Sequence, residues 1–381
     1  YGARAGLPFL VIIVAMVAFG EALPGRGEVD RVRLASVPAS RVTPARVIVP
    51  AALTVGALVW FGPLWRGAIM TSIIASVVAL SFVVLTGFGG QTSLAQLSFA
   101  GIAGFALSRL AMRWGVPFPV APLLAASMAA VFGVLVGFPA LRIRGTNLAI
   151  VTLAGGVAIS EFVFKNPSVV GDGSSGGATV PNPSIGGWDV GLVVGSESSR
   201  PIFGIFLLVV LVVLCLGVAN LRRSATGRRL LAIRSNERAA SAIGIDVAMG
   251  KVSMFAISGF IAGLGGCLIA YRFGSVSEVS FGIVASLSAL AMAYLGGITS
   301  VSGALTSGVM AASGVAFFAS NRVFGGIGDW ELFVSGVLLI VIAIRNPEGI
   351  APTVARQVSR VRDRISRRST SGIAARPVTG S

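Results

Sequence analysis

The chain has 381 residues, a mean hydropathy of +0.89, 55% apolar residues and only 12% charged ones. A soluble chain of that length needs far more charge to keep its surface wet, which sets a soluble globular fold aside. There is no histidine, so imidazole metal sites, Ser-His triads and histidine proton relays are excluded. The net charge of +16 would suit a nucleic-acid binder, but 28 of the 30 basic residues are Arg, gathered mainly in three segments between or after apolar runs. That is the distribution of cytoplasmic loops flanking membrane spans.

In chain order, apolar runs of the length needed to cross about 30 Å of hydrocarbon begin with a leading span at 7–23. Ten more follow at 47–64, 67–86, 98–113, 119–141, 147–164, 201–221, 252–272, 283–296, 301–320 and 330–345. The expected fold class is therefore all-α: a polytopic transmembrane helical bundle with a basic linker at 28–46, a membrane domain at 47–352 and a basic tail at 353–381. Cys215 and Cys267 both lie inside apolar runs and read as core thiols, since a disulfide framework belongs to small extracellular domains.

Charge assigns the sides. Segment 24–46 carries a net +3, segment 222–251 a net +5 and the tail from 345 a net +6, with Arg142 and Arg144 marking a further basic turn. Loop 165–200, rich in Gly, Ser and Pro, carries a net −1. An even number of spans separates every pair of basic segments, so all fall inside, and loop 165–200 falls outside. The leading span admits two readings. Arg4 before an apolar run and the Gly20-Glu21-Ala22 end resemble a signal peptide. The run also resembles the chain's own last span, as if Tyr1–Gly27 were the end of a fused sister protein.

Segment 222–251 is too long for a simple turn between helices. Asn236 fits a helix N-cap with Glu237 in the first turn, and Gly244 fits the position that ends that helix. Ala239, Ala240 and Ile243 give it a small apolar face, and Leu230 and Ile233 offer another one helix earlier. Such an element suits either docking into a partner's groove or resting on lipid headgroups. Gly87–Gln96 combines Gly87, Gly89 and Gly90 with Gln91, Thr92, Ser93 and Gln96, so it reads as unwound backbone lining or gating a pathway, or as a close helix-packing segment. Gly259 and Gly263, in GxxxG spacing, read as helix packing. No carboxylate lies mid-span for ion coupling, and no Walker A motif is present, so ATP hydrolysis requires a separate subunit.

The stretch GRRLLAIRSNERAASAIGI, with Gly227-Arg228, Ala232-Ile233-Arg234, Glu237, Ala239-Ala240 and Gly244-Ile245, resembles the coupling loop of branched-chain amino acid ABC transporter permeases, the LivM/LivH type. GFGGQTSLAQLSFAGIAGF (87–105), LRIRGTNLAIVTLAGG (141–156) and YLGGITSVSGALTSG (294–308) resemble further stretches of that family, so the likeness covers about 69–352. Asn147, Val157 and Thr299 depart from the family pattern, and the first two, lying where a pathway would run, leave the solute open. The resemblance implies ATPase coupling through Gly227, Arg228, Ala232, Arg234, Glu237, Ala239, Ala240 and Gly244. It implies a pathway touched by Gly89, Gly90, Gln91, Ser93, Gln96, Asn147 and Thr152. It further implies a bacterial inner-membrane location, a second permease subunit, two ABC ATPase subunits holding ATP and Mg, and a periplasmic or lipid-anchored solute-binding protein. No cofactor on this chain and no nucleic acid is implied. A ribose- or nucleoside-type ABC permease, and a passive channel or secondary transporter, are the rival readings.

Overall fold

The computed structural model describes residues 44–141, 146–166, 177–185, 188–192, 199–311, 313–324 and 350–351. The leading span, the 28–46 linker up to residue 43, the basic turn at 142–144, the 330–345 span and the tail lie outside the described residues.

The architecture is a helical membrane bundle. Helices α1 (Pro44–Trp60), α2 (Pro63–Phe82), α3 (Gln96–Met112), α4 (Val120–Ala140) and α5 (Thr146–Ile159) precede the polar loop, and α6 (Pro201–Arg223) follows it. Two short helices come next, α7 (Ala225–Ser235) and α8 (Glu237–Ala242). The chain then re-enters the bundle as α9 (Val247–Phe273), α10 (Ile283–Gly296), α11 (Val301–Met310) and α12 (Val315–Phe324). Among the described residues, seven helical stretches are long and apolar enough to cross a membrane. Five of the expected spans, at 98–113, 119–141, 147–164, 201–221 and 283–296, match helical stretches to within two residues.

Helix α9 is the central post, packed on α4, α3 and α2. Its 27 residues reach about 40 Å at 1.5 Å per residue, more than the hydrocarbon thickness. Gly259 and Gly263 let it lie directly on α4: a Cβ on Gly259 would come 2.9 Å from the Ala129 carbonyl oxygen, and one on Gly263 would come 2.7 Å from the Ala129 Cβ. The GxxxG spacing is thus a packing device, because without a hydrophobic drive between helices in lipid, close backbone approach supplies the dispersion contact. The two cysteines are free, and Cys267 is fully buried in this core.

Two ends are distinct. At one, strand β1 (Gly177–Thr179) pairs antiparallel with β4 (Ser275–Ser277) just beyond the end of α9, and β2 (Ser184–Ile185) pairs with β3 (Trp188–Asp189). The Ser108 hydroxyl, near the end of α3, donates to the Thr179 carbonyl at 2.5 Å. Lys165 is held there by Glu161 at 2.5 Å and Glu278 at 3.6 Å, and the Glu161 hydrogen bond pushes its pKa above the ordinary lysine value. At the other end lie α7 and α8.

The structure refines two of the expected spans at their ends and interrupts a third. Helices α2 and α5 both finish as π-helix, at Val83–Phe88 and Ser160–Phe164. Between α2 and α3 the chain is non-helical from Gly89 to Ala95, within the 87–96 stretch for which unwound backbone is one of the two sequence readings. The run at 301–320, which reads as one uninterrupted span, ends at Met310 and resumes at Val315. Ser313 takes a left-handed φ of 58° in that break, and the Val315 N–H freed there is taken by the Ser72 hydroxyl of α2 at 2.9 Å.

The α4–α9 contact gives a stability prediction. Gly259→Val overpacks that seam and should cost about 1–3 kcal/mol, read as a lower unfolding temperature of the detergent-purified protein. Gly217→Val, on α6 where an added Cβ meets nothing within 4 Å, should leave that temperature unchanged.

Candidate functional site: a broken helix beneath a two-helix handle

The handle forms as its sequence dictates. The Ser224 hydroxyl caps α7 by accepting from the Gly227 N–H at 3.2 Å. The Asn236 side-chain oxygen caps α8 by accepting from the N–H groups of Arg238 and Ala239 at 3.0 and 3.1 Å. Gly244 ends α8 with φ +83°, and the Ile245 N–H reaches back to the Ala240 carbonyl at 3.0 Å. Asp246 then caps α9 by accepting from the Met249 N–H at 2.9 Å.

The handle's faces differ from the expected arrangement. Leu230 and Ile233 are buried against the bundle, and so is Ala240, which therefore does not belong to an outward apolar face. The outward face carries Arg228, Arg229, Arg238, Ala239 and Ile243, with Ile243 75% exposed. Gly227 is buried in the first turn of α7, and Ala232 is partly covered.

Arg234 and Glu237 both turn inward. Glu237 pairs with Lys251 at 2.9 Å, and Lys251 is only 1% exposed although it opens a membrane helix. Arg234 lies over Gly90: a Cβ on Gly90 would meet the Arg234 Cγ at 2.8 Å, and the Gly90 φ of +68° excludes most other residues. Burial lowers the Arg234 pKa from the ordinary arginine value while Tyr294 opposes the shift, and the guanidinium stays charged at any physiological pH.

The broken segment under the handle is held by side chains from three other helices. Leu94 is gripped on both sides: its N–H donates to the Thr152 hydroxyl of α5 at 3.1 Å, and its carbonyl accepts from the Ser286 hydroxyl of α10 at 2.5 Å. The Thr86 hydroxyl donates to the Gln91 carbonyl at 3.0 Å, and the Ala95 N–H donates to the Ser93 hydroxyl at 3.2 Å. The Gln96 amide donates to the Ser258 hydroxyl of α9 at 3.4 Å. Ser258 lies eleven residues into α9, roughly 17 Å from its start, so the break ends near the middle of the bundle's height.

Ser93, Gln96 and Thr152 are wholly buried inside this one chain. In this structure they secure the break. Gln91, by contrast, lines a cavity of about 360 Å³ together with Gly89, Gly90, Leu148 and residues Ile233 to Arg238. Asn147 is exposed at the foot of α5 and does not meet the others at this cavity. Ser258, Ser286 and Lys251 were not among the residues singled out from the sequence. Each is a polar group inside or at the mouth of a mostly apolar run, and that is the available signal. A larger groove of about 700 Å³ between α1, α2, α6 and α11 is mostly apolar and offers little to orient a polar solute.

Residues 66–343 match the family model for the branched-chain amino acid transport system permease component. The chain belongs to that permease family. It is 31% identical over 327 residues, 81% of this chain and 75% of the relative, to the high-affinity branched-chain amino acid transport system permease protein LivM of Escherichia coli K12. It is 25% identical over 81% of its length, and 86% of the relative, to the fructose import permease protein FrcC of Rhizobium meliloti. A shorter stretch, 33% of this chain, is 34% identical to 32% of the xylose transport system permease protein XylH of Escherichia coli K12. No solved structure matches. The permease family accounts for the polytopic helical bundle, and its members act as transport subunits.

Two predictions test the site. Glu237→Ala strands the buried Lys251 and should destabilise the protein by about 3 kcal/mol, whereas Glu237→Ala with Lys251→Met should recover much of the loss in thermal unfolding. Thr152→Val leaves the Leu94 N–H without its acceptor inside the bundle and should cost about 1–3 kcal/mol by the same measurement.

Proposed function

We propose that this chain is the transmembrane subunit of an ATP-driven importer, carrying branched-chain amino acids or similar small polar solutes such as urea and amides by alternating access. The observation that carries the reading is the handle's two-sided construction. Its inner side grips the broken helix and α9 through Arg234 and Glu237, while its outer side presents Ile243 and three arginines. An element built that way passes a push from outside the bundle to the break.

On this reading the chain is not itself an enzyme and binds no cofactor. Two ABC ATPase subunits hold ATP and Mg and dock on α7–α8, a second permease subunit, similar or identical, completes the pathway, and a solute-binding protein delivers cargo from the opposite side. Segment 222–251, with its net +5, faces the cytoplasm and loop 165–200, with its net −1, faces outward, as the distribution of positive charge favours. The membrane is then the bacterial inner membrane. The match to LivM supports amino-acid cargo; the matches to FrcC and XylH support a second reading with a sugar as cargo.

The test is reconstituted uptake. Ile243→Asp changes an exposed side chain, so insertion and thermal stability should be retained while ATP-driven uptake falls to background and the ATPases no longer copurify. Normal uptake by this variant would sink the docking role. Titrating the partner solute-binding protein with L-leucine and with xylose decides between the two cargoes.

A further inference from the structure

The cavity between handle and break has the composition of a ligand site. Its volume of about 360 Å³ lies at the lower end of small-molecule pockets, which run to about 1,000 Å³. Its walls come from three elements: Gly89, Gly90 and Gln91 of the break, Leu148 of α5, and Ile233 to Arg238 of α7 and α8. Gln91 is 6% exposed, and its side-chain oxygen has no hydrogen-bond partner among the described residues. A buried acceptor left so calls for a donor that the described residues do not supply. Arg234 and the more exposed Arg238 both contribute to the wall of the same space, and an arginine guanidinium matches a carboxylate in charge and in planar geometry.

We propose that this cavity is a second solute site, distinct from any pathway site, that takes an amino-acid zwitterion from the handle side and slows transport when filled. The carboxylate pairs with Arg234 and Arg238, the ammonium donates to the Gln91 oxygen, and Leu148 and Ile233 meet the side chain. A molecule seated there touches break and handle at once, so it holds fixed the two parts whose relative movement carries the push. The inference rests on the amino-acid reading of the cargo given above.

The experiment uses the complete transporter in right-side-out vesicles loaded with ATP and with L-leucine, 4-methylpentanoate (carboxylate only) or 3-methylbutylamine (ammonium only). The initial rate of labelled leucine uptake is divided by the rate with ATP alone, so each variant is its own reference. Lumenal leucine should lower the wild-type ratio by about fivefold, the lower edge of ordinary coupling between two sites, and neither half-molecule should. Gln91→Leu and the exposed Arg238→Ala should each bring the leucine ratio back toward one. A wild-type ratio of one, equal inhibition by 4-methylpentanoate, or unchanged inhibition in both variants would overturn the proposal. Equilibrium dialysis of labelled leucine against the purified transporter without its binding protein is the second readout. Should ATP-driven uptake be absent altogether, the transport reading falls. Dialysis still decides the site: binding lost in Gln91→Leu supports it, and equal binding in both forms, or in neither, overturns it.

Discussion

The two hydrogen bonds on Leu94 are the constraint around which the bundle is arranged. Seven residues, from Gly89 to Ala95, leave helical geometry inside a protein that sits in hydrocarbon. Lipid offers no water to pair the freed N–H and carbonyl groups, and each one left bare costs several kcal/mol. Thr152 of α5 and Ser286 of α10 supply the missing partners from two separate helices. A change in the spacing of α5 and α10 therefore acts directly on the break, and the break in turn constrains how those helices pack.

Depth gives the break its mechanical meaning. Helix α2 descends as a continuous rod, ends in a π-helical turn and reverses at the break, from which α3 returns through the bundle. The reversal lies against α9 at Ser258 and beneath the handle at Arg234. The handle thus rests on the least regular backbone in the central bundle. The same design recurs at Ser313–Gly314, where the Ser72 hydroxyl of α2 takes the Val315 N–H. In both places small hydroxyls on neighbouring helices make irregular backbone tolerable in the membrane.

The Glu237–Lys251 pair shows how the handle is fastened. A lysine at 1% exposure at the start of an apolar helix is tolerable only because a carboxylate meets it, and that carboxylate belongs to α8. Charge pairing of this kind contributes little net stability compared with apolar packing, yet removing one partner is costly. It therefore fixes the angle between handle and bundle. With Leu230 and Ile233 buried beside it, α7 and α8 form a stiff extension of α9 and not a free loop.

Much of this was legible in the sequence. Apolar run length set the spans, because a helix must cover a fixed thickness of hydrocarbon, and Asn236, Glu237 and Gly244 marked the bounds of α8 because capping chemistry is local. The glycines at 87–90 signalled broken backbone for the same local reason. What periodicity and motif could not supply was the pairing across the fold. That Ser286 would meet Leu94 across 192 residues, that Lys251 would find Glu237, and that Arg234 would turn inward over Gly90 all depend on how the helices are set against one another. The interruption of 301–320 was hidden likewise, since its freed N–H is satisfied by Ser72, which is distant in the chain. Local free energies write themselves into neighbouring residues, so sequence alone determined most of the spans and the caps of α8. Satisfaction of buried polar groups is a condition on residues far apart, and only the tertiary structure decided which ones would meet.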